Sequence, residues 1–105
     1  MGPSDLAVSS KVEGGTATIA VTGTIDLATA PRFDAAIDDA LADGAACIVL
    51  DCAGLEFMDS TGISVLVRAR ARLAGTAARP VEVVDARPGI RRLLEVCGLR
   101  DLLAD

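Results

Sequence analysis

Residues 47–62 read CIVLDCAGLEFMDSTG, and the reading of the fold turns on how this stretch is divided. Cys47 to Leu50 is a short apolar run of the kind a strand makes when both its faces are buried. From Asp51 the character changes: Asp51, Gly54, Glu56, Asp59, Ser60 and Thr61 follow within a few positions, and apolar residues at helical spacing begin at Ile63. The stretch predicts a buried strand that stops at Leu50, a polar turn, and a helix over roughly Thr61 to Leu73. In sheets with parallel strands, ligands and partners are met in the crevice beyond the carboxyl ends of the strands. The polar turn is therefore the candidate site.

Upstream, Leu6 to Val12 alternates weakly and Gly14-Gly15 supplies a turn. Thr16 to Thr22 is a second strand with Ala17, Ile19 and Val21 on one face, and Gly23-Thr24-Ile25-Asp26 is expected to leave the sheet. Thr29 stands as an N-cap with Pro31 just inside the helix. That helix runs from about Ala30 to Asp43 and ends at Gly44, with Phe33, Ala36, Ile37, Ala40 and Leu41 as its buried stripe. Asp34, Asp38 and Asp39 face elsewhere, as a solvated face or a greeting for a basic partner. Downstream, Ile63, Leu66, Val67 and Leu73 mark the inner face of the second helix. Ser64, Arg68 and Arg72 stack at four-residue intervals on another face, and Arg70 joins the arginines in the carboxyl half, where they complement the helix dipole. Val81 to Val84 is a short strand. A last helix follows with Ile90, Leu93, Leu94 and Cys97 as its stripe, then Gly98 and a terminal turn over Leu99 to Leu103. The fold class is α/β: one domain over residues 1–105, order β-β-α-β-α-β-α, a mixed sheet with crossover helices packed on it.

The chain has 105 residues, enough to bury a core without metal or disulfide support, and 51% apolar residues with only two aromatics, so Ala, Val, Leu and Ile must build that core. A net charge of −5 argues against a nucleic-acid backbone or an anionic membrane as the main partner. Cys47, Cys52 and Cys97 read as reduced core residues of a cytoplasmic protein. The start, MGPSDLAV, lacks the pattern of a signal peptide, and Leu6 stands where myristoylation wants Ser or Thr. No run is long and apolar enough for membrane insertion.

Much chemistry is excluded. The chain has no histidine, so Ser60 has no histidine as its general base, and zinc would need an unusual ligand set. Met58 to Gly62 lacks the glycine of a nucleophile elbow, and neither phosphate-binding glycine motif is present. No catalytic residue, cofactor or metal is expected. Asp26, Asp51 and Asp59 lie at predicted strand ends or turns, but a glycosidase would also need a deep sugar cleft. What survives is a serine at a helix start beside an acid. One reading is an N-cap by Ser60 or Asp59. The other is a hydroxyl phosphorylated by a partner, the phosphate being tolerated by the helix N-terminal amides while Asp59 repels it.

Gly23 to Asp26, Ile48 to Asp51, Phe57 to Ile63 and Arg91 to Leu99 together resemble the STAS domain of bacterial anti-sigma factor antagonists, in order and over almost the whole chain. The resemblance implies a cytoplasmic regulator whose unphosphorylated form binds an anti-sigma factor, a serine kinase of the GHKL type, and so frees a sigma factor. It implies phosphorylation of Ser60, with Thr61 the weaker acceptor, and a phosphatase that resets it. Asp26, Asp59, Ser60, Thr61, Gly62 and Ser64 would form the partner surface, Asp26 serving binding more than stability. Thr24 departs from the acidic residue often found there, which bears on the identity of the partner. The alternative is a free-standing STAS subunit of a membrane transporter; a nucleotide-binding sensor has no phosphate loop behind it.

Overall fold

The computed structural model describes residues 5–104, so the expectations drawn from the start of the chain rest in part on Met1 to Ser4, outside the described residues. Four strands form one sheet in the order β1-β2-β3-β4. β1 (Leu6–Glu13) and β2 (Thr16–Ile25) make the expected antiparallel hairpin, and Gly14 and Gly15 both take the positive φ its turn demands. β3 (Cys47–Met58) and β4 (Val81–Val84) then add in parallel. Parallel neighbours need crossovers, here helix α1 (Ala30–Ala42) and helix α2 (Ser60–Arg72). Two right-handed crossovers that step the same way across a sheet put both helices on one side. The face they cover carries the buried Ala17, Ile19, Val21, Ile48, Leu50, Val81 and Val83. On the other face Thr18 and Thr22 are exposed and Val49 is half-buried, so β3 is buried on one face, where both were expected to be.

Two strands run further than their sequence suggests. β2 does not leave the sheet at Gly23 but continues to Ile25, which is wholly buried and pairs with Met58. Gly23 permits this with φ +107°, in a place where a Cβ would collide with the Asp5 carbonyl. β3 does not stop at Leu50. It absorbs the polar segment through two irregularities, each with one extra residue on β3, between the pairs Ala20–Asp51 and Thr22–Gly54 and between Gly23–Leu55 and Thr24–Phe57. Core positions along it fall at 48, 50 and 52, then 55, then 58. A Cβ at Gly54 would lie 2.7 Å from the Thr22 hydroxyl, so the first bulge needs glycine. The Arg87 Nε–H donates to the carbonyl of bulged Ala53 at 3.2 Å.

Phe33, Ile37 and Ala40 of α1 are buried as their spacing predicts, and Gly44 at φ +94° ends the helix. The inner stripe of α2 is Gly62, Val65, Leu66, Ala69 and Leu73. Val67 points outward, because the stripe starts from Gly62, which a pattern of apolar side chains passes over. Asp38 and Asp39 are exposed and Asp34 half-buried, as a solvated face would be, and Asp34 and Asp38 also meet Arg68 at 3.3 Å and Arg72 at 2.5 Å on α2. Helix α3 (Pro88–Val96) buries Ile90 and Leu94, and a single 3-10 turn (Arg100–Leu102) buries Leu102 and brings Leu103 alongside β4 in a parallel bridge with Val83. Arg70 reaches Asp101 there at 3.1 Å. Of the three free cysteines only Cys52 is fully buried. Cys97 is exposed because α3 ends beneath it and Gly98, at φ +76°, turns Leu99 inward in its place.

Candidate functional site

Because Ile25 pairs with Met58, the chain leaves β2 and β3 at adjacent points and enters α1 and α2 at the same end of the sheet. Asp59 donates its N–H to the Ile25 carbonyl at 3.1 Å, stitching the two exits together. Asp59 is the N-cap of α2. Its backbone is extended, and Oδ1 accepts the Thr61 N–H at 2.9 Å and the Thr61 hydroxyl as well. The Thr61 hydroxyl bond, with smaller help from backbone N–H groups, holds the Asp59 carboxyl below its ordinary value of 3.8, so the cap is anionic at neutral pH.

Capping thus falls to Asp59 and leaves the side chain of Ser60 out of it. Ser60 is exposed at the first turn of α2, and its carbonyl accepts the Ser64 hydroxyl at 3.1 Å. Thr61 is half-buried and its hydroxyl is committed to Asp59. Gly62 offers no partner a side-chain surface: it is buried, and a Cβ there would lie 2.5 Å from Met58 Cγ and 2.9 Å from Ile25 Cγ2. Glycine is what lets α2 start this close to the sheet.

Asp26 occupies the matching position after β2. Its Oδ1 accepts the Ala28 N–H at 3.0 Å and the Thr29 N–H at 3.1 Å, an Asx turn. Thr29 is at the N-cap of α1 as expected, but its hydroxyl caps nothing. It turns back to donate to the Thr24 carbonyl at 2.8 Å and accept the Asp26 N–H at 2.9 Å. Asp26 is therefore a turn-building residue. These bonds give Asp26 a part in the turn beside the part in binding that the resemblance implies.

Three features here are absent from the sequence reading. Leu27 is 78% exposed and Phe57 53% exposed, beside Asp26 and shortly before Ser60. Between the amino ends of α1 and α2 lies a groove of about 300 Å3 bounded by Leu27, Ala30, Pro31, Thr61, Ser64 and Val65, with Asp34 and Arg68 at one end. A signal was available for Phe57, one of only two aromatic residues in the chain. The groove has no signal in sequence, because it depends on how two helices lie together.

A mixed β-sheet under two parallel crossover helices, with a capped serine turn at their shared end, is the architecture of a STAS domain. The family model described as "Mlab, STAS domain" matches residues 8–104, and the chain belongs to that family. Among its relatives is the anti-sigma-F factor antagonist RsfB of Mycobacterium tuberculosis, 33% identical over 64 residues, which are 61% of this chain and 52% of that protein. This chain thus matches about half the length of that relative. An anti-sigma factor antagonist from Mycobacterium paratuberculosis has a similar structure, with a TM-score of 0.83 and 27% identity over 95% of this chain and 84% of that one. So has the Bacillus cell fate determinant SpoIIAA in its phosphorylated form, with a TM-score of 0.72 and 26% identity over 94% and 90% of the two chains. No helix among the described residues is long and apolar enough to cross a membrane.

Proposed function

We propose that this chain is an anti-sigma factor antagonist whose unphosphorylated form binds a GHKL-type anti-sigma factor serine kinase, freeing a sigma factor, and that phosphorylation of Ser60 ends the binding. The observation that carries the reading is the division of labour at the start of α2. Asp59 caps the helix and holds the Thr61 hydroxyl, while the Ser60 hydroxyl stands exposed and has no part in the cap. The kinase would move the γ-phosphoryl group of ATP to Ser60 Oγ, which loses its proton as ADP leaves; ATP and magnesium belong to the kinase. The product carries about −1.5 to −2 charges at neutral pH. The N–H groups of Thr61, Gly62 and Ile63 are already taken by Asp59, so the fold would accept the group through the positive end of the helix dipole and through water at exposed Ser60, while the surface gains negative charge beside anionic Asp59. A phosphatase would restore the serine.

Intact-mass spectrometry after incubation with ATP, magnesium and each anti-sigma factor kinase of the source organism tests the reading. One added phosphate on the parent and none on Ser60→Ala is expected, with Ser60→Asp losing affinity for the kinase. Ser60→Asp binding as tightly as the parent would overturn the charge switch. No phosphate from any kinase, with co-purification of an ATP-binding cassette protein, would favour the transporter-subunit alternative.

A further inference from the structure

Phe33 is wholly buried, and the other aromatic residue of the chain, Phe57, stands 53% exposed three positions before Ser60. Leu27 is 78% exposed on the neighbouring strand exit. In a chain with only two aromatic residues, both Phe57 and Leu27 forgo the burial that would stabilise the fold. Their exposure is built in. The second bulge of β3 puts Met58 back on the core side and turns Phe57 out. Leu27 follows the Asx turn of Asp26, whose bonds set the course of the loop.

Next to Leu27 the groove between α1 and α2 has a definite cause. Asp34–Arg68 and Asp38–Arg72 are successive rungs joining the two helices. One turn nearer Ser60 the rung would be Ala30 and Ser64, whose side chains are too short to meet, and about 300 Å3 is left open. That volume has room for two or more aliphatic side chains, and its charged end is already neutralised by the Asp34–Arg68 pair. Around these apolar features Asp26, Glu56 and Asp59 supply negative charge.

We infer that Leu27, Phe57 and the Ala30–Ser64 groove are the apolar anchors of the surface that binds the anti-sigma factor, and that the matching face of that partner carries aliphatic side chains ringed by arginine or lysine. This rests on the proposed function and deepens it. Buried aromatic and aliphatic anchors with a charged rim are the usual carriers of binding energy at protein interfaces. The inference also gives the switch a second means of action. A phosphate on Ser60 would stand among the anchors, so docking would have to strip water from a dianion against apolar surface.

Calorimetric titration of the kinase that phosphorylates the parent, with Phe57→Ala, Leu27→Ala, the groove-filling Ser64→Leu and the distant exposed control Val96→Ala, tests it. Each of the first three is expected to weaken binding by about tenfold or more, with Val96→Ala within about twofold of the parent. Melting temperatures should stay near the parental one, and Leu27→Gln repeats the test outside the sheet should Phe57→Ala loosen β3. A parent that binds while Phe57→Ala and Leu27→Ala bind equally well would overturn the anchors and leave the proposed function standing. A parent that binds no anti-sigma factor kinase would overturn both.

Discussion

The two strand-to-helix junctions, β2 to α1 and β3 to α2, leave the sheet side by side and use the same kinds of residue to opposite ends. At the first, polar groups are spent inward: the Thr29 hydroxyl, on a residue only 3% exposed, bonds Thr24 and Asp26, and the Asp26 carboxylate bonds Ala28 and Thr29. At the second, one acid performs the capping and a serine is left over. A closely bonded junction beside one with a spare hydroxyl would suit a modifiable surface, since the bonds of the framing loop do not involve the serine.

This contrast can be broken by substitution. Thr29→Val should have the largest effect, about 2–4 kcal/mol of lost stability, because it orphans the Asp26 N–H and the Thr24 carbonyl; urea unfolding would measure it. Asp26→Ala should cost about 1–2 kcal/mol through loss of its turn, and an unchanged melting temperature would return Asp26 to a pure binding role. Asp59→Ala should cost about 1 kcal/mol, in a pH-dependent way. The folded-state carboxyl titrates below its ordinary 3.8, so its contribution is complete above that value and is lost as pH falls through the lower, folded-state one. The gap between parent and variant urea midpoints should narrow as pH falls below 3.8. Ser60→Ala should change stability by no more than about 0.5 kcal/mol. A larger loss would mean that the second junction is built like the first. Finally, a thiol reagent should modify Cys97 first and Cys52 only on unfolding, since burial, with Asp51 adding to it, pushes the Cys52 thiol up to about 12.

The legible parts of the fold are those where periodicity is regular. The alternation Ala17-Ile19-Val21 and the helical spacing Phe33-Ile37-Ala40 led directly to buried faces. The same logic failed from Asp51 to Met58, because two bulges stretch the core spacing from two to three residues at Cys52, Leu55 and Met58, and a strand so spaced resembles a turn. The Asp34–Arg68 and Asp38–Arg72 rungs were half visible, as four-residue spacings of opposite sign, but not their pairing, which needs both helices on one face. At the site, Ser60, Asp59 and Thr61 were legible because short polar side chains before an apolar run mark a helix start. Leu27 was not, and Phe57 was marked only by its rarity, not by its exposure. An apolar residue's exposure is a property of the finished surface, and pattern reading assigns such residues to the core by default.

The paired bulges of β3 also bear on how the chain can change its length. Deleting the extra residue at Ala53 would take out the first bulge and leave the pairs after it, Gly23 with Leu55 and Ile25 with Met58, in the same phase. Loss of one residue at Glu56 would remove the second bulge in the same way. Each bulge can therefore absorb the loss of one residue, whereas a deletion in the regularly paired stretch from Cys47 to Leu50 would put its apolar alternation out of step with β2.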